Sequence, residues 1–271
     1  MNTVIIRSKN EQRCIGYCIQ SVTDFIGKPK IVLIDNESTD NTVSIVNRFE
    51  YHDITKLHIS KDDYTPGKAL NMGIKESEGD WVIIISAHCE IVQLDLDKVR
   101  QHFSDPAVVA VWGKQIPIWD GKRATGRYMW SNFGDEQQTN YFCESEDRHF
   151  FHNAFSIFKA EHLRNHLFDE HYSGKEDRYW ANERIEKGYK IIYDPEQIVK
   201  HHYTVGGATW MCLGSLEIRK TGISFIIGYH TLNQLKEMPY VQTSSSQIFR
   251  RSKNESSLGS RPRWSSSIPG M

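Results

Sequence analysis

The stretch Trp81-Val82-Ile83-Ile84-Ile85-Ser86-Ala87-His88-Cys89-Glu90 constrains the fold more than any other part of the sequence. Five apolar residues, three of them isoleucines, read as a strand buried on both faces, the pattern of a sheet covered by helices on each side. The run then turns polar at once, at Ser86, His88 and Glu90. In open α/β sheets ligands bind beyond the carboxyl ends of the strands. This polar end therefore predicts the floor of a site.

The segments before it converge on the same edge. A β-branched strand over 3–6 leads into Arg7-Ser8-Lys9-Asn10-Glu11, and a helix over 12–25 follows, with Ile15, Cys18, Ile19 and Val22 at helical spacing. A second buried strand, 31–34, ends in Asp35-Asn36-Glu37-Ser38-Thr39-Asp40, whose last three residues are helix-capping types. A third strand, 56–59, precedes a helix over 68–76. Strand and helix thus alternate four times in the first 90 or so residues, which implies a mostly parallel sheet. Downstream, a helix is expected over 94–103 and strands over 108–115 and 150–158. A helix over 176–187 stops at Gly188, and strands at 189–193 and 198–202 follow. The intervening 116–148 is rich in glycine and aromatics (Trp119, Tyr128, Trp130, Phe133, Tyr141, Phe142), suited either to a carbohydrate acceptor face or to a packed subdomain.

At 271 residues and 39% hydrophobic, the chain supports one large domain or a domain with an appendage. A formal charge of −1 excludes a nucleic-acid binder driven by overall electrostatics. Five cysteines without a C-x-x-C pair suit a reducing compartment. Cys14 and Cys18, one helical turn apart, read as buried helix cysteines or as half a metal site. No cleaved leader is evident at the start, and no apolar run approaches the roughly 20 residues that span a bilayer, so a cytoplasmic protein is expected. Divisions are expected at 1–205, at a helical extension 206–241, and at a serine-rich, disordered tail 242–271. The tail carries Arg250, Arg251, Lys253, Arg261 and Arg263 against Glu255. It reads either as a solvated end or as a peripheral contact with an anionic inner-membrane surface.

Four separated motifs, in order and well spaced, resemble family 2 glycosyltransferases. They are the opening strand with Arg7-Ser8-Lys9-Asn10-Glu11; Val32-Leu33-Ile34-Asp35-Asn36-Glu37-Ser38-Thr39-Asp40; Gly67-Lys68-Ala69-Leu70-Asn71-Met72-Gly73; and Gly174-Lys175-Glu176-Asp177-Arg178-Tyr179-Trp180. The likeness covers about 3–205 and is nearest to bacterial enzymes of surface-polysaccharide synthesis, including rhamnosyltransferase-like members. It implies the GT-A fold, a central mostly parallel sheet flanked by helices that binds a nucleotide-diphosphate sugar and inverts the anomeric centre on transfer to a glycan or lipid-linked acceptor. Where the family usually has D-x-D, this chain has Ser86-Ala87-His88, a version related bacterial subgroups share.

The resemblance assigns nucleotide binding to Arg7, Asn10, Glu11, Asp35, Asn36, Lys68, Ser86 and Ala87. Asp35 accepts a base N–H, and the Lys68 ammonium is a compact charge for a diphosphate. His88 stands in for the metal-binding carboxylate and His201 for the histidine that completes the metal site, with His202 as the adjacent alternative because a strand turns only one of the two inward. Two neutral imidazoles hold magnesium weakly, so the expected divalent cation is manganese rather than magnesium. Asp177 is the expected general base, with Glu176 the neighbour most easily confused with it, and Arg178 and Trp180 are expected at the acceptor. Two other classes compete: a nucleotide-sugar-binding protein without catalysis, which Ser86 and His88 allow, and a sugar nucleotidyltransferase, which lacks its glycine-rich loop here.

Overall fold

The computed structural model describes residues 2–124 and 128–204, all within the first of the chain's two units, Met1–Ile227. The expected divisions at 206–241 and 242–271 lie outside the described residues. Four β-branched segments form the strands β1 (Thr3–Ser8), β2 (Lys30–Asp35), β3 (Ile54–His58) and β4 (Trp81–Ser86). They pair in parallel in the order β3-β2-β1-β4, as strand–helix alternation implies. Strand alternation splits their side chains between two cores. Ile5, Val32 and Ile84 pack with Ala69, Leu70 and Ile74 of helix α3 (Pro66–Lys75). Val4, Ile6, Ile83 and Ile85 pack with Ile15, Cys18, Ile19 and Val22 of helix α1 (Ile15–Ile26). A short α2 (Thr42–Val46) lies between β2 and β3. Helix α3 starts where Thr65 accepts the Lys68 N–H and Pro66 occupies the first turn, a position that needs no backbone donor.

Beyond β4 lies a strand that the sequence pattern does not assign. Cys89–Gln93 forms strand β5, with Cys89 and Ile91 buried and Glu90 half-buried between them, a period-two pattern in a stretch too short to stand out in the sequence. Helix α4 (Leu96–Phe103) begins at Asp95, whose carboxylate accepts the N–H groups of Asp97 and Lys98. Strand β6 (Val108–Trp119) runs four residues past its expected end. The two-residue strands β7 (Lys122–Arg123), β8 (Gln138–Thr139), β9 (Phe142–Cys143) and β10 (Arg148–His149) decorate the aromatic segment. There the packed alternative prevails for Phe133 and Tyr141, which gather with Phe150, Phe151 and Tyr193 around the buried indole of Trp112. Strand β11 (Phe155–Lys159), helix α5 (Ala160–Asn165), helix α6 (Glu176–Glu186) and strand β12 (Lys190–His202) complete the described elements.

The two short strands expected near the end merge into β12. Its register slips between Asp194 and Ile198, where Pro195 has no N–H to donate. The sheet continues β4-β11-β6-β12-β5, with β11 antiparallel to β4 and β6, β12 parallel to β6, and β5 antiparallel to β12. Among the described residues no helix is long and apolar enough to cross a membrane.

Close approach at one strand crossing requires a glycine. A Cβ on Gly113 would lie 2.3 Å from the Gln197 carbonyl oxygen and 2.7 Å from Phe155 Cδ1, whereas one on Gly134 would meet nothing within 4 Å. Gly113→Ala is therefore expected to cost about 1–3 kcal/mol or more, as overpacking does, and Gly134→Ala less than about 0.5 kcal/mol. Urea titration of both variants measures the difference; equal midpoints would contradict the packing described.

Candidate functional site

Parallel register brings the carboxyl ends of β1, β2 and β4 side by side, pairing Ser8 with Asp35 and Arg7 with Ser86. The polar loops beyond them lock together. Asp35 Oδ1 accepts the hydroxyls of Ser8 (3.0 Å) and Ser38 (2.6 Å), and Oδ2 accepts the Ser38 N–H (2.9 Å). Asn10, in the left-handed region at φ 54°, accepts the Thr39 N–H at 2.7 Å and donates its own N–H to Ser38. Asn36 accepts from the Lys9 ammonium. These loops border a cavity of about 590 Å³ lined by Lys9, Asn10, Asp35, Glu37, Ser38, Thr39, His58 and Lys61.

Arg7 is the link from this cavity to the acidic motif. Its Nη1 lies 3.3 Å from Glu176 Oε1 and 3.4 Å from the Pro66 carbonyl. The approach of α6 is itself built from α3. Buried Asn71 donates to the Phe168 carbonyl and to Glu170, and accepts the Phe168 N–H. Gly67 leaves no room for a side chain against the Asp169 carbonyl. The Gly67–Asn71 motif thus seats the loop that delivers Glu176 and Asp177, a role that sequence spacing alone did not reveal. Both carboxylates are buried. Burial, then the neighbouring Asp177 charge, pushes the Glu176 carboxyl above its usual value, with Arg7 opposing. Asp177 Oδ2 accepts the Asn153 N–H at 2.9 Å.

His88, His152 and His201 form a histidine cluster. The rings of His88 and His201 are 4.8 Å apart, and His152 lies 6.2 Å from His201. His88 Nδ1 donates to buried Glu11 Oε1 at 2.9 Å. Buried Gln115 accepts from His201 Nδ1 at 2.8 Å through Oε1 and donates through Nε2 to His152 Nδ1 at 3.0 Å. His202 faces the other way, to Glu90, so strand alternation settles which of the adjacent pair turns inward. With Nδ1 of each ring bonded to an oxygen acceptor, the neutral tautomer of His88 and His201 has its lone pair on Nε2, the form a metal ligand needs. Among the described residues no group of three or more His, Cys, Asp or Glu side chains is arranged to hold a metal ion. His152, mostly enclosed, is pushed down to about 4 by burial, with Asp177 opposing, and is neutral at pH 7.

Asp35, Arg7, Glu176, Asp177, His88 and His201 are linked largely through other residues: Ser8, next to Arg7, holds Asp35; Arg7 pairs with Glu176, next to Asp177; and Asp177 reaches His201 and then His88 by way of Asn153, the adjacent His152 and Gln115. Other expected residues are placed differently. The Lys68 ammonium pairs with Asp63 at 3.0 Å. The Ala87 methyl group packs in the core beneath the sheet edge, leaving only its backbone for a ligand. Trp180 is corrected outright: it is 3% exposed, packs against Phe151, Phe158 and Phe168, and donates its indole N–H to the His166 carbonyl, so it has no face for an acceptor. Arg178 is likewise buried, paired with Glu146 and lying over the Phe150 ring. Half a metal site at Cys14 and Cys18 is not what forms either, since Cys18 is buried in the core. Gln115, His152 and Asn153 were missed. The one signal for Gln115 was a polar residue inside an apolar strand, and nothing local marks the other two.

Several known proteins share this arrangement of strands and helices. The sequence profile of glycosyl transferase family 2 matches residues 3–167. The O-antigen chain rhamnosyltransferase RfbN of Salmonella typhimurium is 26% identical over 185 residues, covering 64% of this chain and 57% of that protein. The GalNAc(5)-diNAcBac-PP-undecaprenol beta-1,3-glucosyltransferase of Campylobacter jejuni is 24% identical over 195 residues, 70% and 61% of the two chains. The chain therefore spans about three-fifths of the length of these relatives. Among solved structures, S. aureus TarS 1–349 in complex with UDP-GlcNAc superposes with a TM-score of 0.59 at 18% identity, over 81% of this chain and 64% of that one. The mannosyltransferase PcManGT of Pyrobaculum calidifontis, in complex with GDP-Man and Mn2+, gives 0.51 at 22% identity, over 77% and 58%.

The buried acid pair makes stability depend on pH. Glu176 binds its proton more tightly folded than unfolded, so folding takes up protons above the ordinary carboxylate range and stability falls as pH rises through the raised pKa. Glu176→Gln removes that contribution. The wild type is expected to lose stability relative to this variant as pH climbs from 4 upward, in denaturant titrations across the range; a pH-independent difference would contradict the burial of an ionising Glu176.

Proposed function

Because the chain belongs to glycosyl transferase family 2 and has the GT-A fold, we propose that it is an inverting glycosyltransferase. It moves a sugar from a nucleotide-diphosphate sugar to a hydroxyl of a glycan or lipid-linked acceptor in surface-polysaccharide synthesis. The observation that carries this reading is that adjacent residues at the end of β1 reach both features: Ser8 donates to Asp35 on the 590 Å³ cavity, and Arg7 pairs with buried Glu176 beside Asp177. The rhamnosyl- and glucosyltransferase relatives support the substrate class. Neighbours bound to UDP-GlcNAc and to GDP-Man with Mn2+ support a nucleotide sugar and a divalent cation. A cytoplasmic position, with the basic residues of 242–271 against the inner membrane, accords with a lipid-linked acceptor.

In this reading the nucleotide base lies in the cavity beside Asp35, whose Oδ2 keeps a lone pair for a base N–H. Asn10, Asn36 and Glu11 shape the ribose side, and the Ser86-Ala87 backbone borders the diphosphate. His88 and His201 would hold the cation through Nε2. Two imidazoles would favour manganese over magnesium for a cation bound together with the diphosphate. When bound, the cation neutralises charge that develops on the leaving diphosphate. Asp177, fixed by the Asn153 N–H, takes the proton of the acceptor hydroxyl as that oxygen attacks the anomeric carbon. Glu176 stays paired with Arg7 and holds the start of α6 in place. Attack from the side opposite the nucleotide inverts the anomeric centre.

Asp177→Asn is expected to keep the thermal shift produced by a nucleotide sugar, which reports binding to the folded state, while release of nucleoside diphosphate in the presence of acceptor falls by about 10²–10⁴-fold. Turnover near the wild-type rate would reassign the base. EDTA is expected to abolish release and manganese to restore it; release that persists in EDTA would remove the cation from the reading.

A further inference from the structure

His152 has no part in the chemistry just described, yet its surroundings are specific. It precedes Asn153, whose N–H holds Asp177, and lies two residues before Ala154, whose carbonyl accepts the Ser86 N–H at the end of β4. It thus sits on a segment that holds Asp177 on one side and pairs with the end of β4 on the other. Its protonation is set by geometry. The Ala154 N–H donates to His152 Nδ1 at 3.2 Å, so Nδ1 is the unprotonated nitrogen. Gln115 must then present its amide NH₂ to the same nitrogen, as it does at 3.0 Å. The ring proton sits on Nε2.

Among the described residues Nε2 has no hydrogen-bond partner, and it is not one of the enclosed polar atoms. The rest of the ring is held by apolar neighbours: Phe150 lies nearly parallel to it at 6.2 Å and Phe133 meets it edge-on at 6.1 Å. A neutral N–H donor, rigidly oriented and left open beside a buried carboxylate, suits a neutral hydroxyl oxygen. A neutral donor gains less from a phosphate than a cation would, whereas an unpaired buried hydroxyl is costly enough to give real selectivity.

Resting on the glycosyltransferase reading, we propose that His152 Nε2–H donates a hydrogen bond to a sugar hydroxyl in the cleft, making it a specificity-determining residue for the carbohydrate rather than for the nucleotide. That hydroxyl belongs either to the donor sugar or to the acceptor, and the two are separable.

The test uses the whole chain with ¹⁵N-labelled histidine and the nucleotide sugar that most raises its melting temperature, from a screen that includes UDP-GlcNAc and GDP-mannose. The His152 Nε2–H resonance is expected to move on addition of that nucleotide sugar and not of the matching nucleoside diphosphate if the donor sugar is read. It is expected to move only when octyl glucoside or another alkyl glycoside is added if the acceptor is read. A resonance that ignores both would overturn the proposal. Kinetics provide a second readout that does not depend on the spectrum. His152→Phe keeps the ring stacking and loses the donor, and should lower kcat/KM about 10-fold or more while nucleoside diphosphate binding is unchanged. His152→Gln, which can return an N–H to the same place, should recover much of the loss. Equal losses in a folded Phe variant and a folded Gln variant would make His152 a packing residue only. Failure of every nucleotide sugar to shift the wild-type melting temperature would instead overturn the glycosyl-transfer reading beneath it.

Discussion

The ion pair between Arg7 and Glu176 joins residues 169 positions apart, and the rest of the site depends on it. Arg7 lies one residue before the end of the first strand, in the parallel half of the sheet, and Glu176 opens the helix between β11 and β12 of the mixed half. Glu176 is almost wholly buried and its proton affinity is raised, so its charge is tolerable only with a partner. Removing one member of such a pair typically costs about 3–5 kcal/mol, because the other is left buried and uncompensated. The pair therefore acts as a positional constraint: the start of α6 has one energetically acceptable place, beside the carboxyl end of β1. Asp177 follows directly and comes to rest on the Asn153 N–H.

A second constraint is the interior hydrogen-bond path through Gln115. A backbone N–H dictates the state of His152, the glutamine amide transmits that choice, and His201 receives it, so one polar side chain in the middle of β6 orders two imidazoles. Glu11 does the same for His88. Partners of this kind fix ring orientation as well as proton position. In a low-dielectric interior such hydrogen bonds are stronger than in water. The histidine cluster is thus set by residues outside the histidines themselves.

The parallel half of the fold was legible because its signals are local. The isoleucine run at 81–85, the polar turn at Asp35 and the alternation of strand and helix each act over a few residues, and they placed β1 to β4 and α3 close to where they lie. The antiparallel half was not legible to the same degree. Strand β5 is five residues long, too short for its alternation to stand out, and the merger at Pro195 depends on a register slip that only the neighbouring strand defines. The same division runs through the site. Asp35, His88, Glu176, Asp177 and His201 stand in recognisable motifs. Trp180 misled because its motif position says nothing about which side of α6 faces the core, and α6 is buried on several sides. Gln115 and His152 acquire meaning only through partners far away in the chain.

The central claim is that the Asp35 cavity, the histidine cluster and the acid pair serve one ligand. A crystal structure of the chain grown with a nucleoside diphosphate and manganese tests it most directly. The account predicts the base in the cavity between Lys9 and Lys61, the metal on His88 and His201, and the diphosphate between that metal and the end of β4. Nucleotide density elsewhere on the molecule, or a metal that binds without touching either histidine, would contradict it.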